Sequence, residues 1–379
     1  CLIMLAGFIA WNLTQPAGQG RLFYPAISAI SALGMLGLTW WLPRRGQKLV
    51  VIGCTFGLLV FAALSPLLYI TPTYTKTPIL AEKDLPANLQ PINFTYDGKI
   101  RLLGYQLHTP TVRPAESLNL TFYWQILEPT ELNYSVFVHL LGRQRQVVGQ
   151  IDTYPGGGHW PTTLLSPGDI LADTYEVPIP PEAEFNQAPT RLLIAAGIYD
   201  LTEPDRPGKP SLNAAGEPVE PLIASAKLIP WQWPAPPRFE PPINFADKVT
   251  LLSYKIAADQ QSVTLNWQAT ASLDIDYTVF LQLWRAAPLA NSTAGAAQAE
   301  YVAGFDGPPV LGDYPTSLWE PAEIIVDNHP LDLTTLPQGD YYLLAGLYNP
   351  ATSERLPAFA AAKPLPDYAV NLGPIQVTK

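Results

Sequence analysis

The residues with the clearest chemical potential fall in one pattern that occurs twice. Asp152 to Asp173 and Asp306 to Asp327 each open on an Asp and place a Pro at the fourth position (Pro155, Pro309). Each then carries an aromatic-Pro-Thr unit (Trp160-Pro161-Thr162, Tyr314-Pro315-Thr316), an acid (Asp169, Glu323) and a closing Asp. Two chemistries suit such a set. Exposed aromatics can offer flat faces to sugar rings while carboxylates accept hydroxyl hydrogen bonds, which makes Trp160, Asp169, Tyr314 and Glu323 a candidate glycan platform. The same residues also suit a long connection between sheets, the aromatic plugging one end of the fold and the acids capping turns. Duplicated structural loops are commoner than duplicated sites, and that favours the second reading.

Other constellations are weaker. Oxygen ligands suit calcium, but the spacing of Asp152, Asp169 and Asp173 follows no calcium-loop pattern, and no metal is expected. Asp274-Ile275-Asp276 has the form of a metal-nucleotide DxD, yet the other copy has Glu131-Leu132-Asn133, so a solvated strand end is the better assignment. His108, His139, His159 and His329 are scattered, and His139 becomes Gln282 in the second copy. Gly156-Gly157-Gly158 precedes no helical pattern and reads as a turn, not an anion cradle. No catalytic residue and no cofactor are expected in this chain.

These loops sit inside a larger duplication. Pro91-Ile92-Asn93-Phe94 returns as Pro242-Ile243-Asn244-Phe245, and Ile100 to Leu107 returns as Val249 to Ile256. Asn133 to Leu141 matches Asp276 to Trp284, and Ala195 to Asp200 matches Leu344 to Asn349. Order is kept throughout, so the second half is a copied module. Within each copy the period is that of strands. Leu118, Leu120, Phe122 and Trp124 alternate with polar neighbours, as do Val263, Leu265 and Trp267. Short strands separated by Pro, Gly and Asp predict all-β modules, two tandem β-sandwiches of immunoglobulin or fibronectin-like type, with Trp124 and Trp267 in their cores. Leu336 to Tyr341, ahead of an apolar strand, predicts a tyrosine corner. The modules are expected over 91–229 and 243–379, joined by a proline-dense spacer over 230–242.

The N-terminal part is of another kind. The first 70 residues hold no Asp or Glu and four cations, Arg21, Arg44, Arg45 and Lys48, whereas the chain as a whole carries −10. A basic apolar part joined to an acidic polar one predicts transmembrane α-helices followed by a water-facing region, and the acidic balance excludes nucleic acid as a partner. Residues 22–42 and 49–70 are uncharged runs of spanning length except for the interrupting basic link Pro43 to Lys48, and residues 1–11 read as the tail of a further span. The basic link is expected on the cytoplasmic side, which places the modules outside the cell membrane beyond a polar tether over 71–90. With Cys1 and Cys54 alone, both at membrane depth, no disulfide framework is expected.

At Gln19 to Leu38 the sequence resembles the late spans of bacterial GT-C-type glycosyltransferases related to the dolichyl-phosphate-mannose mannosyltransferases, and a related family of polytopic membrane proteins that share the Gln-Gly-Arg unit. The modules, with Tyr134 to Leu141, Pro315 to Trp319 and Ala345 to Leu356, are similar to extracytoplasmic domains attached to such proteins. The resemblance implies a multi-pass parent enzyme that uses a polyprenyl-phosphate-sugar donor, with Arg21 and Tyr24 as donor-phosphate contacts and the modules binding or spacing a cell-envelope glycan. The family's catalytic acid has no counterpart here. The competing expectation is a membrane-anchored surface binding or adhesion protein without enzymatic activity.

Overall fold

The computed structural model describes residues 27–71, 76–285 and 300–377, which fall into two compact units, 1–75 and 76–379. Arg21, Tyr24 and the run 1–11 lie outside the described residues.

In the first unit, α1 spans Ile27–Thr39 and α2 spans Arg44–Ser65, continuing as a π turn over Pro66–Ile70. Among the described residues one helix, Arg44–Tyr69, is long and apolar enough to cross a membrane; Ile27–Gly37 is a shorter apolar helix. The link Pro43 to Lys48 is not a free basic turn, as the sequence suggested. Pro43 caps α2, and Arg44, Arg45 and Lys48 ride its first turns. No residue of α2 is buried, and Leu58, Phe56 and Leu49 are each more than two-thirds exposed. Its length and exposed apolar surface fit a membrane anchor.

The second unit is built from strands. The first module contains β1 (Ile79–Leu80), β2 (Gln90–Tyr96), β3 (Ile100–Leu107), β4 (Thr111–Val112), β5 (Ser117–Ile126), β6 (Tyr134–Leu141) and β7 (Val147–Thr153). These are followed by β8 (Ile170–Pro178), a short α3 (Ala183–Asn186), β9 (Thr190–Asp200), β10 (Ser211–Leu212), β11 (Pro218–Val219) and β12 (Leu222–Leu228). The second module has β13 (Ile243–Phe245), β14 (Val249–Ile256), β15 (Ser262–Ala269), β16 (Thr278–Arg285) and β17 (Glu300–Gly304). It ends with β18 (Ile324–Pro330), β19 (Gly339–Tyr348), β20 (Ala358–Ala360), β21 (Lys363–Pro364) and β22 (Val370–Val377).

The two modules share one topology. One sheet runs β8-β5-β3-β2-β10-β11 in the first and β18-β15-β14-β13-β20-β21 in the second; the other runs β12-β9-β6-β7 and β22-β19-β16-β17. The first module adds β1 and β4 at its edges. Each pair of sheets encloses its own core, with Trp124, Phe122 and Tyr175 in one and Trp267, Phe245 and Trp319 in the other. Alternation is clean on β15, where every second residue is buried. On β5 it is blurred: Thr121 and Tyr123, on the outer face, are covered too, hydrogen-bonded to Thr174 and Gln106 on the flanking strands. The Tyr341 hydroxyl donates to Pro337 O at 2.7 Å, the corner expected from the sequence.

The spacers are less free than their composition predicts. Ile79 and Leu80, within the expected tether, pair with Leu171 and Ile170 as an extra edge strand. In the proline-dense segment, Trp231 Nε1 donates to Pro114 O at 2.9 Å and Phe239 N to Leu252 O at 2.7 Å. That segment is therefore fastened to both modules. The modules also touch directly. Lys227 on β12, 5% exposed, puts Nζ 2.6 Å from Glu323 Oε1, and Glu323 is equally buried. Its angles make this an ion pair, not a directed hydrogen bond. Asp313 O accepts from Arg191 N at 2.7 Å and from Thr190 Oγ1 at 3.2 Å, and the Asp313 carboxylate accepts from Gln144 N.

Removing one member of a buried pair leaves the other charge without compensation, at about 3–5 kcal/mol. We therefore expect Lys227→Ala to lower the thermal unfolding temperature of the full chain in detergent, with Lys227→Met/Glu323→Gln, which removes both charges and keeps an acceptor for the Tyr314 hydroxyl, restoring most of the loss. A Lys227→Ala transition indistinguishable from wild type would show that this pair does not hold the modules together.

Candidate functional site

The repeated loops are clasps. Asp173, 2% exposed within β8, accepts from Gly156 N at 2.8 Å, Gly157 N at 3.2 Å and the Tyr175 hydroxyl at 2.5 Å. Burial pushes its carboxyl up from the usual aspartate value, and those three donors pull against it. In the second module Asp327 is fully buried and accepts from Val310 N at 2.7 Å and Trp267 Nε1 at 3.1 Å, with His329 Nε2 2.8 Å away. In both copies the closing Asp folds the loop's opening back onto the sheet. The Thr of the aromatic-Pro-Thr unit does the rest. Thr162 Oγ1 accepts from Tyr134 N at 3.0 Å and donates to Leu132 O at 2.7 Å; Thr316 Oγ1 does so with Tyr277 N and Ile275 O, both at 2.7 Å.

The remaining acids of the pattern are also engaged. Asp169 Oδ2 accepts from Ser166 N at 2.8 Å, and Glu323 Oε2 accepts from Glu320 N at 3.0 Å. Asp276 of the DxD-like triplet accepts from Ser317 N at 3.0 Å, as Asn133 does from Thr163 N at 3.2 Å. Among the described residues no group of three or more His, Cys, Asp and Glu converges to hold a metal ion.

Of the two aromatics of the candidate glycan platform, one is sealed and the other is half-buried. Tyr314 is fully buried, its hydroxyl donating to Glu323 Oε2 at 2.7 Å, and Lys227 Nζ lies over its ring, 5.7 Å from the centroid. Burial, the Glu323 charge and that bond all push the phenol far above its usual range. Trp160 is half-buried, donates Nε1–H to Thr77 O at 2.8 Å and carries Lys76 Nζ 4.4 Å from its ring centroid. Both rings are thus covered by a lysine from the segment that precedes their module. Tyr314, fully buried, has no face left for a sugar. The donor-phosphate candidates Arg21 and Tyr24 lie outside the described residues.

An open site exists elsewhere, on the outer face of the β7-β6-β9 sheet. Phe137, His139, Asp152, Tyr199, Arg206 and Gly208 line a groove of about 400 Å³. Phe137 stands opposite Gly197 in the ladder, and a Cβ there would meet its ring at 2.8 Å, so glycine is what lets the ring lie flat across β9. His139 packs beside it, ring centroids 4.9 Å apart. The Tyr199 phenol is pushed up by burial and by the Asp152 carboxylate, to which it hydrogen-bonds, while the Arg206 charge pulls it down. Asp152 and Arg206 are exposed.

The second module repeats the set as Phe280, Gln282, Asp306, Tyr348 and Arg355, with Gly346 opposite Phe280. There the groove is filled. Arg355 lies over the Phe280 ring at 4.3 Å and donates to Gln282 Oε1 at 3.0 Å and Asp367 O at 2.9 Å, leaving Phe280 1% exposed. The difference is a register change. Tyr348 bridges Arg355, whereas Tyr199 bridges Gly208, two residues beyond Arg206. Sequence reasoning set His139 aside because its counterpart is Gln282. The sequence carries only a local trace of the groove, the run Tyr134 to Leu141 that is apolar on both faces.

No protein-family profile matches the chain, and no curated protein matches it. Among solved structures it is similar to a DUF4785 family protein from Legionella pneumophila subsp. pneumophila, at 10% identity and a TM-score of 0.20. The alignment covers 70% of this chain and 57% of that protein's length.

The clasp assignment makes Thr162 and Thr316 structural. Thr→Val keeps the shape but strands a buried amide and a carbonyl, costing about 2 kcal/mol. Each substitution is expected to lower the unfolding temperature by about 5 °C in a module of this size, with the groove unaffected. A shift under about 1 °C for both would discard the clasp.

Proposed function

We propose that this chain is a membrane-tethered, extracytoplasmic binding arm that performs no catalysis itself. The apolar helices anchor it. Two immunoglobulin or fibronectin-like sandwiches form the arm, a reading supported by sheets in which β3, β5 and β8 face β7, β6, β9 and β12, the A-B-E and C′-C-F-G arrangement of that class. The corner made by Tyr341 supports it too. The orientation follows from the cations at the start of α2, which the positive-inside tendency holds in the cytoplasm. A multi-pass parent is the reading given by the resemblance at Gln19 to Leu38: a glycosyltransferase using a polyprenyl-phosphate-sugar donor, with the arm engaging envelope glycan.

The observation that carries the binding role is the contrast between the copies. One duplicated aromatic groove is stoppered by its own arginine, and the other is left open on a sheet face. A half-buried ring with a carboxylate, a phenol, an imidazole and a guanidinium around it suits recognition of a polar partner.

Phe185, 91% exposed on α3, is a probe of sidedness. With Cys1 and Cys54 replaced by Ser, Phe185→Cys in spheroplasts is expected to react fully with a membrane-impermeant maleimide. Reaction only after permeabilisation would place the arm in the cytoplasm and end this proposal.

A further inference from the structure

We infer that the groove of the first module is a saccharide subsite that takes one pyranose ring, stacked on Phe137 and bound through its hydroxyls by Asp152, Arg206 and His139. The inference rests on the binding-arm reading and goes beyond it in naming the groove, the single ring it takes and the residues that hold it.

The filled copy shows what shape the open one accommodates. In the second module the occupant of the groove is a flat group, the Arg355 guanidinium, lying 4.3 Å from the Phe280 ring and bonding outward at its rim to Gln282 Oε1 and Asp367 O. In the first module the bridging position opposite Tyr199 belongs to Gly208, and a Cβ there would come 3.2 Å from the Phe137 ring. The stopper has been replaced by the smallest residue. What remains is a space for a flat ligand with polar groups at its edge. A pyranose has that form: C–H bonds on one face for the aromatic ring, hydroxyls around the rim.

Charge decides between candidates of this shape. An arginine or lysine from a partner would imitate Arg355, but the first module already places Arg206 in the groove, and two cations would repel. A simple anion is opposed by Asp152 on the other wall. The groove pairs one carboxylate with one guanidinium, whose formal charges cancel. A neutral ligand with adjacent hydroxyls can donate to Asp152 and accept from Arg206 in the same pose, and both groups bind such pairs with two bonds. The volume of about 400 Å³ admits one ring with its substituents, not a long chain enclosed on all sides.

The test uses the full chain in nanodiscs, titrated with neutral gluco-, galacto- and manno-configured hexasaccharides and with an octa-arginine peptide. At least one hexasaccharide is expected to bind, with its ring protons receiving saturation from protein aromatics in saturation-transfer NMR. Gly208→Arg, which imitates the stopper of the second module, should weaken binding at least tenfold. Asp152→Asn and Arg206→Gln, both exposed, should each weaken it about tenfold, the loss of a hydrogen bond to a charged group. They decide the matter if Gly208→Arg lowers the unfolding temperature. Binding of the peptide and of no hexasaccharide, or binding of nothing offered, overturns the inference. Hexasaccharide binding that all three variants leave intact also overturns it, while the arm's sidedness, read by the maleimide reaction, stands or falls separately.

Discussion

The join between the two modules of the second unit depends on a buried carboxylate, Glu323, that holds a lysine over an aromatic ring. Lys76 covers Trp160, and Lys227 covers Tyr314. The two aromatics occupy matched places in the copies, and each receives the segment that comes just before its own module. For the first module that segment is the tether, whose Thr77 carbonyl also accepts from Trp160. For the second it is the last strand of the first module. A cation–π contact of this kind is worth about 0.5–2 kcal/mol by itself, too little to fix two domains. The weight comes from Glu323, which neutralises Lys227 within 2.6 Å and takes the Tyr314 hydroxyl as well. Desolvating that carboxylate is tolerable only because a cation and two hydrogen-bond donors meet it.

These contacts give the repeated loop pattern a structural reason to persist in both copies. A duplicated module keeps whatever its fold needs, and here the fold needs the loop twice over. Asp173 and Asp327 tie its opening down, and Thr162 and Thr316 tie its middle to the strand that follows Leu132 and Ile275. Its aromatic then serves as the socket for the preceding chain. Repetition between copies measures constraint, and constraint of this kind is mechanical.

Much of the fold was legible because period-two burial and turn chemistry are local. The strand from Tyr134 to Leu141 has the bounds that its apolar run implies, and Trp124 and Trp267 lie in the cores. The tyrosine corner was legible because its bond spans four residues. What was illegible depends on partners far along the chain. Nothing in the sequence of Tyr314 says that Lys227 will lie on it, so an aromatic between turn residues reads equally as platform or plug. The basic link before α2 was misread for a related reason: three cations look like a loop, yet Pro43 starts a helix whose first turns hold them. The groove was missed because it needs cross-strand register. Phe137 has meaning only once Gly197 is known to lie opposite.

The divergence of the two grooves is a thermodynamic argument in its own right. Stoppering an aromatic with an arginine is stabilising: it shields the Phe280 ring, adds a cation–π contact and gives the guanidinium two acceptors. The first module has the same ring, the same flanking glycine and an arginine at the matched place in the turn, so the same solution lay within reach. Two additional residues before the bridge, ending in Gly208, move Arg206 off the ring and leave the ring half-buried. Stability alone would not select that arrangement, because it forgoes contacts its twin keeps. One copy buries its ring under an arginine and the other leaves a polar-rimmed aromatic surface open, and the proposed binding role rests on that contrast.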